Sequence, residues 1–178
     1  MKKLMMAVAI VCAAVGAQAA QISWGNTSTS LIYGLDGSTR MTTALATTYA
    51  LSVELVDSNG NTVASTSSFN AMVPGNLAGT SYTYTYGTDY SSGSTFSIIA
   101  KMTVDGQAYE MKIGDFTITS AADNTGKDTF TWNAGTYGGL ADTGTAGSGA
   151  SWAAVPEPTS GLLLALGICG LALKRKRA

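Results

Sequence analysis

Apolar and polar residues alternate through the middle of this chain, and apolar residues run unbroken only near its two ends. The alternation is clearest over residues 94–113, where Phe96, Ile98, Ala100, Met102 and Val104 alternate with Thr95, Ser97, Lys101 and Thr103; Ile99 is the exception. Successive strand residues point to opposite faces, so a period of two predicts a strand buried on one side. Asp105-Gly106 follows. A type I′ turn favours such a pair because both of its central residues need positive φ. Tyr109, Met111 and Ile113 then alternate on the way back. A two-residue turn sets Met102 opposite Tyr109, Ala100 opposite Met111 and Ile98 opposite Ile113 on one face. On the other face it sets Lys101 opposite Glu110, as an ion pair.

A second hairpin is predicted where Leu51, Val53 and Leu55 alternate with Ser52 and Glu54. Asp57-Ser58-Asn59-Gly60 turns the chain, and Thr62-Val63-Ala64 returns. Further strands are expected at residues 22–24, 31–33, 82–86, 116–119 and 129–132. Residues 41–49 and 70–78 fit either a helical turn or a loop. Many short strands broken at Gly, Asn and Asp predict an all-β domain over residues 20–133, of the antiparallel β-sandwich kind.

The two ends read differently. Lys2 and Lys3 precede an almost wholly apolar run, residues 4–15, and Ala17 and Ala19 then supply small residues at positions −3 and −1 of a peptidase site. That three-part order predicts a signal peptide over residues 1–19, engaged by the Sec translocon and cut by signal peptidase after Ala19. Its apolar core is shorter than the ~20 residues a permanent span needs.

At the other end, Pro156 and Pro158 break helix and ladder, keeping a stretch extended. An apolar block, residues 162–173, follows, and Lys174, Arg175, Lys176 and Arg177 close the chain. The block predicts a single transmembrane helix, and the basic run a stop-transfer signal held on the cytoplasmic side. The block is short for a permanent span, as suits a transient anchor. The segment 155–178, with Val155, Pro156, Glu157 and Pro158 leading the apolar block and basic cluster, resembles the PEP-CTERM sorting signal of Gram-negative bacteria. The resemblance implies recognition by exosortase, a membrane-embedded cysteine protease or transpeptidase, with cleavage near Pro156-Glu157-Pro158. It also implies an inner-membrane-anchored precursor that ends at the cell surface or outside the cell. Such signals are associated with exopolysaccharide-producing, biofilm-forming species. Ahead of the signal, residues 134–154 carry Gly135, Gly138, Gly139, Gly144, Gly147 and Gly149, a composition that predicts a flexible linker.

Charge and residue inventory narrow the chemistry. Mean hydropathy is +0.18, but the apolar weight sits in the end blocks. Between residues 20 and 155 four basic residues face ten acidic ones, a net of −6. Such a domain repels phosphates, so nucleic-acid binding is not expected. Both cysteines, Cys12 and Cys169, lie in the end blocks, and there is no histidine. Ser-His-Asp and Cys-His catalysis and most zinc sites are therefore excluded for the mature domain. Carboxylate pairs remain available to a glycosidase, but the acidic residues fall mostly at turns, so no enzymatic activity, metal or cofactor is expected. Asp57, Asn59 and Asn61 superficially match a calcium loop, yet Thr62 and Ser68 stand where an EF-hand needs Gly and Glu. Asp123 to Asp128 could also bind calcium, but a plain loop is the simpler reading. Tyr82, Tyr84 and Tyr86 share one strand face. Exposed, they would stack on sugar rings; buried, they would pack on neighbouring strands. The expected function is a non-enzymatic surface or extracellular-matrix protein sorted by exosortase. The alternative is a carbohydrate-binding module whose partner is exopolysaccharide.

Overall fold

The computed structural model describes residues 21–79, 82–85, 90–119, 127–141 and 144–156. The strand β6 (Thr95–Val104) and its return β7 (Gln107–Thr117) form the longest hairpin. Asp105 and Gly106 join them with φ of 51° and 82°, the doubly positive geometry of a type I′ turn. Phe96, Ile98, Ala100 and Met102 are all buried. Met102 faces Tyr109, and Ala100 faces Met111, as expected.

Past that point the register departs from the expectation. Ile99 pairs with Lys112 but Ile98 with Gly114, so Ile113 is the extra residue of a β-bulge. The bulge corrects parity. Tyr109 and Met111 point inward from odd positions, whereas Phe116 and Ile118 must do so from even ones. After the bulge Phe116 sits opposite Phe96, and Asp115 turns outward to accept a hydrogen bond from Ser97 at 2.5 Å. The expected Lys101–Glu110 ion pair is also corrected. Lys101 Nζ lies 2.7 Å from Glu54 Oε2, on the strand flanking the other side of β6. Its long stem reaches diagonally to a carboxylate already held by Thr62 at 2.8 Å.

That flanking strand is β3 (Ser52–Asp57), which makes the second hairpin with β4 (Thr62–Thr66). Val53 and Leu55 are buried from it. Just before it, the stretch 41–49 resolves as a helix, α1 (Thr43–Thr48), whose N-cap Thr42 accepts from the Leu45 N–H at 3.2 Å. The stretch 70–78 is a loop, pinned by a bridge between Phe69 and Leu77 and by Asn70 Oδ1, which accepts from Met72 and Val73.

Two sheets enclose the core. Three strands pair in the order β5 (Tyr82–Thr85), β1 (Gln21–Gly25), β8 (Lys127–Thr131). Seven pair in the order β2 (Ser30–Ile32), β9 (Gly135–Leu140), β10 (Ala150–Ala154), β7, β6, β3, β4. Phe96, Phe116 and Phe130 stack in a row from β6 through β7 to β8, at centroid spacings of 5.7 and 4.9 Å. They join the sheets through one apolar cluster that also holds Ile22, Trp24, Trp132 and Trp152. The domain is β-rich, as expected, but its sheets are mixed and not purely antiparallel. β1 and β8 run parallel, as do β2 with β9 and β9 with β10. The buried Ser30 hydroxyl holds one such crossing, 3.0 and 2.8 Å from the carbonyl oxygens of Trp132 and Asn133.

The largest correction concerns residues 134–154, expected as a flexible linker. They supply β9 and β10, two interior strands of the larger sheet. Trp152 is fully buried and donates Nε1–H to the Tyr33 carbonyl at 2.9 Å. The glycines serve close approach of backbone, not slack. A Cβ at Gly138 would stand 2.6 Å from the Tyr33 carbonyl oxygen, and one at Gly149 would stand 2.6 Å from the Tyr137 ring. The return path also lies back along β9, with Gly147 N–H donating to Gly138 O and Gly149 N–H to Thr136 O, at 2.8 and 2.9 Å.

Candidate functional site

The C-terminal signal leaves the fold directly from a strand. β10 is paired with β9 as far as Trp152, which faces Leu140. Ala153 and Ala154 are held by β7 alone, opposite Glu110 and Tyr109. The pairing runs one residue beyond the strand, because Val155 N–H donates to the Ala108 carbonyl at 2.9 Å. The Gln107 carboxamide closes the arrangement: Nε2 donates to Val155 O at 2.8 Å and to Ala108 O at 2.9 Å. Gln107 opens β7 immediately after the Asp105-Gly106 turn, so the tip of the long hairpin fixes the root of the signal. An open depression of about 670 Å³ runs beside this exit, bordered by Glu110, Lys112, Ser151, Ala153, Val155 and Pro156. Sequence reasoning placed Val155 and Pro156 in the signal but missed Gln107 as their partner. The two are 48 positions apart, and nothing local to either marks the contact.

Val155 and Pro156 are exposed. The other signal residues lie outside the described residues: Glu157, Pro158, Lys174, Arg175, Lys176 and Arg177, and Ala17 and Ala19 at the N-terminal site. Among the described residues no helix is long and apolar enough to cross a membrane; the apolar runs 4–15 and 162–173 lie outside them.

The tyrosine row turns inward where it is described. Tyr84 faces Ile22 and Tyr82 faces Trp24 on β1, and both rings are half-buried against the core. Tyr82 lies 5.3 Å from the Trp24 ring, and its hydroxyl donates to Ser68 O at 3.3 Å. The residues exposed on β5 are Thr83 and Thr85. A sugar platform needs an open ring face, and these two rings have given theirs to the core. Tyr86 lies outside the described residues.

Five of the described carboxylates, those of Asp36, Glu54, Asp57, Asp115 and Asp128, are engaged in local structure. Asp57 is the turn lock of the second hairpin: Oδ1 accepts from Asn59 and Asn61 N–H at 2.9 and 2.8 Å, and Oδ2 from Tyr90 OH at 3.0 Å. The Asn61 N–H, followed by its side-chain amide, holds the Asp57 carboxyl below the usual range. The calcium-like spacing is thus filled by protein donors. Asp36 accepts from Ser38 and Thr39 in the same manner, and the Thr39 hydroxyl is the largest influence holding its carboxyl well below the usual range. Burial pushes the Glu54 carboxyl up, but hydrogen bonds from Lys101 and Thr62 outweigh it and leave the carboxyl below its ordinary value. The Lys112 ammonium, 2.8 Å from Asp115, leads the groups that do the same there. Of the 123–128 stretch, Asp128 accepts from Thr119, and Asp123 to Gly126 lie outside the described residues. Among the described residues no three metal-ligating side chains converge.

Comparison with known proteins agrees with this placement of the signal. Neither the curated proteins nor the solved structures contain a match to the chain. Residues 154–177 match the family described as PEP-CTERM protein-sorting motif. The matched stretch begins on the last residue of β10. The motif implies export, a membrane-anchored precursor and exosortase as the processing partner. Over those residues the chain is similar to the PEP-CTERM protein-sorting motif.

Proposed function

We propose that this chain is a non-enzymatic surface or matrix protein, delivered outside the cytoplasm, hooked briefly in the membrane by its C-terminal apolar block and freed by exosortase. The observation that carries the reading is the sorting motif at residues 154–177 on the exit strand of a β-rich domain. The inventory supports a structural role: with no histidine in the chain and both cysteines in the end segments, the domain lacks the usual nucleophile–base pairs. The carboxylates described above are spent on turns and cross-strand bonds. The carbohydrate-binding alternative rested on three open tyrosines, and the inward rings of Tyr82 and Tyr84 weaken it.

The test is the intact mass of the protein recovered from wild-type cells and from cells lacking exosortase. The expected result is loss of residues from both ends in the first and retention of the C-terminal tail in the second. Identical masses would refute the reading.

A further inference from the structure

A processing enzyme grips a peptide in extended form, with main chain on both sides of the scissile bond free to pair with it. Here the upstream side is already paired. The stretch expected to provide slack is folded into the sheet, and the last hydrogen bonds of the domain fall on Val155, the residue before Pro156. Downstream, six residues separate Val155 from the first residue of the apolar block, Leu162. At full extension the seven steps from Val155 to Leu162 cover at most ~25 Å. With the apolar block in the membrane, as the processing reading has it, the cleavage stretch is short.

The hold on β10 is uneven along its length. Up to Trp152 the strand pairs with β9, and the buried indole is bonded to Tyr33. Withdrawing it would open the core. Beyond Trp152 the strand has β7 on one side only, the side chains of Ala153, Ala154 and Val155 are exposed, and the Gln107 carboxamide supplies the final clasp. Terminal segments with few buried contacts open at low cost, whereas core strands open only near global unfolding.

We propose that Gln107 is a positioning residue for the sorting cleavage: it clasps Val155 onto β7, and exosortase acts on the frayed form in which Ala153 to Val155 have left β7 while Trp152 stays latched. This rests on the processing reading above. Cleavage breaks one peptide C–N bond. The acyl group passes to the enzyme thiol, whose proton leaves with the departing amine; water or an acceptor amine then takes the acyl group, breaking the C–S bond and returning a proton to the sulfur. Gln107 takes no part in that exchange; it sets how often the peptide is available. When opening and closing are fast, cleavage follows the population of the open form.

The experiment follows conversion of pulse-labelled full-length precursor in cells that contain exosortase. Four forms are compared: wild type, Gln107→Ala, a four-residue Gly-Ser insertion between Val155 and Pro156, and the two combined. Loss of one ordinary hydrogen bond shifts an opening equilibrium about fivefold, so Gln107→Ala is expected to lose its tail about five times faster than wild type. The insertion is expected to be at least as fast, because it supplies open main chain without fraying. The combination is expected to match the insertion alone, since the clasp no longer controls access. A purely structural role for Gln107 would not vanish when the spacer is lengthened. Wild-type rates for Gln107→Ala or for the insertion, with the tail still lost only when exosortase is present, would overturn the clasp and leave the processing reading standing. A tail lost equally in cells without exosortase would overturn both. If Gln107→Ala is degraded as unfolded, the insertion decides alone.

Discussion

The β6–β7 hairpin and the 134–156 segment pack into the same sheet, yet they are written in different ways. The hairpin carries its fold on its face: large apolar side chains alternate, and a turn pair sits between them. The 134–156 segment has glycines, threonines and alanines in no clear period, and its large buried anchors are Tyr137 and Trp152. Both produce strands, because burial can be reached by two routes. In the hairpin, side chains such as Phe96 and Met111 fill space. In β9 and β10 the absence of side chains lets backbones close on Tyr33 and Tyr137. Glycine therefore marks slack only where nothing approaches it.

The comparison can be broken by mutation. The largest effect is expected at Trp152. Trp152→Ala should cost about 3–5 kcal/mol in urea unfolding, as for a fully buried core aromatic. A cost within ~0.5 kcal/mol would return the 134–154 stretch to a linker. Next comes the sign at Gly138. In a loose spacer, Gly→Ala stabilises slightly by restricting the unfolded chain. Against the Tyr33 carbonyl, Gly138→Ala should instead destabilise by about 1–3 kcal/mol, measured by the same midpoint shift. In the hairpin, Gly106→Ala forces a side chain onto a φ of 82° and should cost about 1 kcal/mol, without the steric clash, since nothing lies near that position.

The smallest effect sharpens the pairing of Lys101. Glu54→Gln should cost about 0.5 kcal/mol at neutral pH, the scale of a partly exposed ion pair, whereas Glu110→Gln should change nothing measurable. The Glu54 carboxyl titrates below its ordinary value in the folded state. Its contribution is then present above the unfolded carboxylate range and is lost as pH falls through the folded value. The gap between wild type and Glu54→Gln should accordingly close as pH falls from neutral to below the ordinary carboxylate range. A gap that widens on acidification would contradict the assignment.

The candidate site divides in the same way. Val155 and Pro156 were legible because proline, an apolar block and a basic cluster stand in order along a single stretch. Gln107 was not legible, since its partner is distant in sequence and its own neighbourhood is an ordinary strand start. Tyr82 and Tyr84 were legible as a row, but alternation says only that two faces differ. Which face meets the core depended on Trp24 and Ile22 arriving beside them. The bulge at Ile113 did leave a trace: inward residues change from odd positions at Met111 to even ones at Phe116 and Ile118, and a continuous strand cannot do that without an inserted residue.

What this sequence determined by itself is whatever is encoded within about twenty residues: the two hairpins, their turns and the order of parts in the C-terminal motif. Local sterics and side-chain alternation suffice for those, because the residues that interact are also close along the chain. The tertiary structure alone decided the parallel pairings, the burial of the glycine-rich strands, the partner of Lys101 and the clasp on Val155. Each of these joins surfaces brought together from distant segments. A glycine or an amide carries no sign of the backbone it will meet until the rest of the chain has put that backbone there.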